Sequence, residues 1–407
     1  MQYTVRAKIR DSAFSSILGQ MGEHLGRVRR KFFVEKGILG RSISELKREF
    51  IAQERVTARQ FNSIAYEIKA MISSQKELKK DLIKKTEKKI KKLKEKTKHC
   101  KSKFKLHQFN RKLSLLDHKL KRYKEDLKTP SICFGSKALF KKQFHLSQNK
   151  YDSHEDWKRD WKSARDDHFF LIGSKDESFG NQSCQLMPGY LNLRLTHAVA
   201  ESRGQEWIKI PIQFTYQEER IRLAQAQSRA LNYPFIKKEN GHWYVHLTFE
   251  IDEKVIFSNR NFGALGIDLN PSCIAVTQID SNGNLSSSWQ VPIRLRGKTT
   301  EQIEAILGDE IAKIVARAKD EKVPICIEEL DFENRKLQLR ARSMNRMLSQ
   351  FSYRKFDTMI QARCFLEGVE LIPVNPAYTS TIGKVKFSYG YGLSTHMGAA
   401  MAMSRRA

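Results

Sequence analysis

Paired cysteines are missing from this chain. The six in its 407 residues (Cys100, Cys133, Cys184, Cys273, Cys326 and Cys364) are scattered, with no CxxC spacing among them. That argues against a zinc ribbon and against a disulfide framework. Cys273 and Cys326 fall in apolar stretches and read as small core residues. Long apolar runs are missing as well: no window approaches the roughly 20 residues of a membrane span. The opening MQYTVRAKIR alternates instead of running apolar, so it does not read as a signal peptide. A soluble protein of a reducing compartment is expected. Negative charge is also short. There are 45 Asp and Glu against 74 Lys and Arg, a net +29. So large an imbalance repels itself in a compact fold unless a polyanion is bound, and nucleic acid is the usual polyanion. An anionic membrane surface fits less well, because the basic helices carry no broad, aromatic-rich apolar face.

What is present divides into blocks. Met1, Tyr3, Val5, Ala7 and Ile9 alternate as one half-buried strand. Residues 13–75 have few turn signals and read as helical. Residues 76–128 hold 22 Lys and Arg against 7 Asp and Glu, which supplies +15 of the total. Within them Ile83, Thr86, Ile90, Leu93 and Thr97 form one apolar seam, and Phe109, Leu113, Leu116, Leu120, Tyr123 and Leu127 a second. The break between them, near residues 98–108, makes an antiparallel helical hairpin with lysine-rich outer faces. A coiled coil that is only solvated usually mixes charge signs for i,i+4 pairs, and this one mostly does not.

Residues 129–189 show no assignable pattern and are expected to be irregular. Alternation returns at Leu191, Leu193 and Leu195, at Ile208 to Phe214, and at Val245 to Ile251 after an Asn240-Gly241 turn. These strands suggest a small β-barrel that the first strand joins. From ALGIDLNPSCIAVTQID onward the order is two strands, a hairpin turn at Asn282-Gly283, a helix over 299–321 and the strand VPICIEEL. A helix over 343–367, the strand VELIPVNP and a final helix from 395 complete it. That is the order of an RNase H fold. The chain is thus read as multidomain α+β. Its blocks are the first strand (1–12), a helical lobe (13–128), an irregular segment with a barrel (129–260) and a nuclease-type domain (261–407).

Asp268 ends the first apolar strand of that domain and Glu328 ends VPICI. Neighbouring strands in an RNase H arrangement would bring the two carboxylates to one sheet end. There they suit Mg²⁺ ions clamping the attacking and leaving oxygens of a phosphodiester. Either residue alone would read as an ordinary strand-end carboxylate.

GIDLNP, then IEEL about sixty residues on, then VNPAYTS, resembles TnpB, the transposon-encoded RNA-guided nuclease related to type V CRISPR effectors. The segment NRKLQLRARSMNRMLSQFSYRKF is similar to the family's basic stretch. The likeness covers residues 262–407 well and the preceding lobes more weakly. It implies a RuvC-like nuclease domain, preceded by a wedge barrel with an inserted recognition lobe. It also implies an RNA-guided DNA endonuclease that uses Mg²⁺ or Mn²⁺, with guide RNA and target DNA as partners, in the cytoplasm with the nucleoid. Asp268 and Glu328 match the family's first two catalytic carboxylates, with Glu329 a neighbour. Arg335, Lys336, Arg340, Arg342 and Arg346 are expected to line the path of a nucleic-acid strand.

Two departures stand out. The family's CxxC pairs are replaced by STIGKVKFSYGYGLST, so no zinc is expected. The third catalytic Asp is replaced by His396 in HMGAA. Neutral imidazole can bind a divalent ion or accept a proton from water, though it is a poorer Mg²⁺ ligand than a carboxylate. Three functions follow: an RNA-guided nuclease, a nuclease-inactive RNA-guided DNA binder, and a resolvase-like structure-specific nuclease. The last has no use for the large leading region. A DDE transposase fits the motif spacing less well than a RuvC-like site.

Overall fold

The computed structural model of the protein describes residues 1–238, 241–252, 255–270, 272–295, 297–329 and 343–406, with side chains of the helix that opens at Ser343 described from Tyr353 onward. The chain divides into two compact units, Met1–Ile251 and Asp252–Ala407.

The first unit runs β1 (Gln2–Lys8), α1 (Ala13–Phe32), α2 (Ile43–Gln53), α3 (Ala58–Lys98), α4 (Lys103–Lys128), α5 (Lys137–Lys142) and α6 (His154–Asp166). It continues through β2 (His168–Leu171), β3 (Cys184–Met187), β4 (Tyr190–Arg194), α7 (His197–Arg203), β5 (Trp207–Pro211), α8 (Glu218–Ala226), β6 (Tyr233–Lys237) and β7 (Trp243–Glu250). The first strand is stitched to the last: β1 pairs antiparallel with β7 from Gln2↔Glu250 to Lys8↔Tyr244. All the helices from α1 to α6 lie between β1 and β2 in sequence.

The hairpin is as its seams demand. Thr57 caps α3 through a reciprocal box with Gln60, and the helix then runs 41 residues, about 60 Å at 1.5 Å per residue. Ser102 caps α4. Thr86, Ile90, Leu93 and Tyr123 are buried along the seam, and the lysines from Lys84 to Lys98 are exposed. Only a few cross-helix ion pairs form, Lys79 with Asp126 and Lys124 with Glu87.

Residues 129–189, expected to be irregular, contain α5, α6, β2 and β3. Their charged, short segments hide a helix that Ser153 starts through a reciprocal cap with Asp156. Where a single small barrel was expected, the strands form two antiparallel sheets, ordered β1-β7-β6-β2 and β3-β4-β5. Side-chain packing joins them: Leu191, Leu193, Ile208 and Ile210 share one core with Phe235, Val245, Leu247 and Phe249. Buried Asn181 donates to the carbonyls of Leu171 and Leu231, at 3.2 and 2.9 Å, tying the loops between the sheets.

The second unit holds β8 (Ala264–Leu269), β9 (Cys273–Ile279), β10 (Leu285–Pro292), α9 (Thr300–Asp320), β11 (Ile325–Glu328), α10 (Ser343–Glu367) and β12 (Leu371–Val374). After these come α11 (Thr379–Ile382), a π-helical turn (Gly383–Ser388), α12 (Tyr389–Tyr391) and α13 (Thr395–Ser404). Its five strands are ordered β10-β9-β8-β11-β12. β9 runs antiparallel to both neighbours, and β11 runs parallel to β8 and β12. Counted within this unit the order is 3-2-1-4-5, the RNase H arrangement that the motif order led us to expect. Successive residues of a strand face opposite sides. Leu265, Ile267, Ile325 and Ile327 therefore pack with α9 and α10 in one core. Ala264 and Cys326 pack on the other side against α13.

Candidate nuclease site

The last paired residues of β8 and β11 are Ile267 and Ile327. The next residues on the two parallel strands are Asp268 and Glu328, so they end the sheet side by side. Their alternation places both on the face of Gly266 and Cys326, the face covered by α13. At Gly266 a Cβ would stand 2.0 Å from the carbonyl oxygen of Ala400, so only glycine lets α13 lie this close on β8. Thr277 on β9 donates to the carbonyl of Met397 at 2.9 Å and fixes the start of that helix. Gly383 and Gly398 meet backbone to backbone, which seats the π-helical turn against the same end of α13.

These contacts deliver His396 from the first turn of α13 to Asp268, with Nδ1 3.1 Å from Oδ2. A carboxylate only accepts, so Nδ1 carries the proton and donates. In the neutral ring Nε2 is then the unprotonated nitrogen, on the far edge from Asp268. His396 is 46% exposed against 13% for Asp268. Asn270 Nδ2 donates to the same Oδ2 at 2.9 Å. Thr379 Oγ1, buried, donates to Glu328 Oε1 at 3.2 Å and also contacts the Pro376 carbonyl. Tyr353 on α10 donates to the carbonyl of Leu269 at 2.7 Å and holds the end of β8.

Asn270, Tyr353 and Thr379 were not singled out in the sequence. Asn270 and Thr379 lie inside the quoted GIDLNP and VNPAYTS motifs, which was the available signal. Tyr353 lies inside the quoted NRKLQLRARSMNRMLSQFSYRKF segment, where it was read only as part of a basic stretch. Glu329 is exposed, and its backbone N–H continues the pairing to Val374. Arg335, Lys336, Arg340 and Arg342 lie outside the described residues, as does the side chain of Arg346. A cavity of about 580 Å³ touches Glu328 and Glu329 but is lined largely by α10 and β12, and neither Asp268 nor His396 reaches it. It is not the place where Asp268 and His396 meet.

Among the described residues no group of three or more His, Cys, Asp and Glu side chains is arranged to hold a metal ion. Two carboxylates side by side still match what Mg²⁺ asks of a protein, because water and substrate phosphate complete its shell. His396 does not complete the set through Nδ1, whose proton is committed to Asp268. The cysteines are all unpaired by disulfides, and Cys184, Cys273, Cys326 and Cys364 are buried in the cores. Burial pushes the thiols of Cys326 and Cys364 up to about 12, which leaves them inert. No helix among the described residues is long and apolar enough to cross a membrane.

No protein-family model matches the chain, and no curated protein matches it. Solved structures do match in part. RuvC of T. thermophilus in complex with a Holliday junction substrate is 14% identical over 35% of this chain and 88% of its own, with a TM-score of 0.26. A Cas12f1–sgRNA–target DNA complex is 10% identical over 99% of each chain, with a TM-score of 0.24. A CRISPR–Cas12f ternary complex is 10% identical over 99% and 98%, at 0.22. The RNase H-type fold of the second unit therefore rests on its own strand order and pairing.

Proposed function

We propose that this protein is an RNA-guided DNA endonuclease of the TnpB type, with a RuvC-like site in its second unit. The observation that carries this reading is that Asp268 and Glu328 follow the last paired residues of two neighbouring parallel strands in a 3-2-1-4-5 sheet, with His396 hydrogen-bonded to Asp268. Asp268 and Glu328 would hold a divalent ion, Mg²⁺ or Mn²⁺, which supplies charge neutralisation at the scissile phosphate. Asn270 and Thr379 orient the two carboxylates. His396 takes the proton of the attacking water at Nε2, and Asp268 holds the ring in that tautomer and stabilises the imidazolium that forms. The net +29 charge provides affinity for the guide and target backbones. The first unit supplies the wedge and recognition functions, with the basic hairpin on the nucleic-acid backbone.

One observation favours a second reading, a nuclease-inactive RNA-guided DNA binder. The third carboxylate is absent and no three-group metal cluster is present among the described residues. Cleavage of a guide-matched duplex by the full chain, in Mg²⁺ and in Mn²⁺, separates the two. Cutting that disappears in Asp268→Ala and Glu328→Ala while binding persists supports the nuclease. Tight guide-dependent binding without cutting in either metal supports the binder.

A further inference from the structure

From Leu371 to Ala407 the sequence contains no Asp or Glu, but it contains Lys384, Lys386, Arg405 and Arg406. Within this stretch three tyrosines stand in the open. Tyr378 is 77% exposed, Tyr389 is 82% exposed, and Tyr391 is also exposed. Tyr378 is the unusual one. Its backbone is left-handed, with φ +62° and ψ +9°, a conformation that is strained for a bulky L-residue and is normally given to glycine or asparagine. Among the described residues, only two aromatics, Phe179 and Tyr378, appear among the non-glycine residues with positive φ. Tyr378 is the more exposed of the two and the one beside the candidate site.

Neither burial nor capping accounts for a tyrosine here. The ring is out of the core, and its side chain makes no cap for α11. The turn is nonetheless held firmly. Asn375 Oδ1 accepts from Ala377 N at 2.9 Å. Arg406 donates to the carbonyls of Asn375 and Ala377. The carbonyl of Tyr378 accepts from Ile382 N at 2.9 Å. The next residue, Thr379, donates to Glu328. The fold thus over-determines a strained turn that presents an aromatic ring to solvent one residue from a side chain gripping a candidate metal ligand.

We infer that Tyr378 is a base-stacking residue, holding an unpaired nucleotide of the strand that enters the site beside Glu328. An exposed aromatic face with cations on its own segment is what single-stranded nucleic acid recognises, since every base has a π-face and every linkage a negative charge. Lys384 and Lys386 are exposed on the same segment and supply that charge. The assignment rests on the nucleic-acid reading of the site, but it needs no cleavage to be observed.

The test uses the full chain and a single-stranded oligodeoxynucleotide carrying 2-aminopurine at successive positions, without metal. Stacking on Tyr378 quenches the probe at one position. Tyr378→Gly should abolish that quench and weaken binding about 5- to 150-fold, the loss of one stacked base. The same variant should melt at the same temperature or higher, because glycine relieves the backbone strain. Tyr378→Phe should keep quench and affinity, since the ring and not the hydroxyl does the stacking. Equal quench in wild type and Tyr378→Gly, with the strand bound by both, overturns the assignment alone. So does a Tyr378→Phe protein as weak as the glycine variant. Failure of the wild type to bind the strand at low salt overturns the nucleic-acid reading together with it. A change in oligomeric state with unaltered strand binding makes the tyrosine a protein contact and overturns it as well.

Discussion

The basic hairpin offers the most quantitative test. Lys84, Lys88, Lys89, Lys91, Lys94 and Lys96 are all exposed on α3, outside the Thr86–Ile90–Leu93 seam. Changing these six to Gln leaves the seam and the helix propensity nearly untouched. Each phosphate contact contributes ~0.7 to 0.9 to the slope of log affinity against log salt, so six lost contacts flatten it by ~4 to 5 units. Between about 50 and 200 mM salt the variant should therefore lose roughly 250- to 1,000-fold less affinity than the wild type does. Its melting temperature should hold or rise slightly, since like charges one turn apart on α3 repel. Filter binding or fluorescence anisotropy across a salt series reads the slope. An unchanged slope in a variant that folds normally would assign the hairpin to some other role.

Four further outcomes are expected. His396→Ala should greatly reduce cutting, while His396→Asp should keep or raise Mg²⁺-supported cutting by restoring a hard oxygen ligand, and Mn²⁺ should serve the wild type better than Mg²⁺. A gain of cutting in His396→Asp over an inert wild type that still binds would instead establish the nuclease-inactive binder. Gly266→Ala should destabilise the second unit by about 1–3 kcal/mol in denaturant, because its Cβ meets backbone at Ala400 that cannot swing aside; a variant as stable as wild type would show that α13 lies farther from β8. Protein purified without chelator should carry no stoichiometric zinc by metal analysis, and a stoichiometric amount would mean that scattered His and Cys form a site. His24 is buried, with Nε2–H donating to the Glu54 carbonyl and Nδ1 accepting from Thr196, each at 2.8 Å. Desolvation holds its pKa below 6.5, so its contribution is complete above pH 6.5 and is lost as pH falls towards the folded value. His24→Gln should flatten the stability-pH profile there, and an unchanged profile would refute this.

How much was legible follows the strength of each local pattern. The hairpin seams, the β8–β9 pair and α9 were readable because their periodicity is long and clean. The strand-end positions of Asp268 and Glu328 were readable because each follows an apolar run. The barrel expectation failed because alternation shows which face of a strand is buried but not which strands exchange hydrogen bonds. Leu191 to Phe249 alternate alike in both sheets. Helix α6 was missed because it is polar nearly throughout and buries only Trp157. Thr379 was invisible as an orienting residue, since its approach to Glu328 spans 51 positions. Tyr378 lies inside the quoted VNPAYTS motif, but its role could not be read there, because a left-handed turn at a tyrosine leaves no mark in composition.

The pairing of β1 with β7 has a consequence for synthesis. The amino group of Met1 donates to the Ile251 carbonyl, 250 positions along the chain. At roughly 5 to 20 residues per second, the first strand waits on the order of 10 to 50 seconds for its partner to leave the ribosome. The α3–α4 hairpin needs only local contacts and has time to form in that interval. Until β7 arrives, the nascent chain exposes an unpaired strand edge with Val5 and Ala7 on its apolar face, which is a surface that chaperones and neighbouring chains recognise. Slowing translation upstream of residue 243 should lengthen that exposure, and moving β1 by circular permutation to follow β7 should remove it.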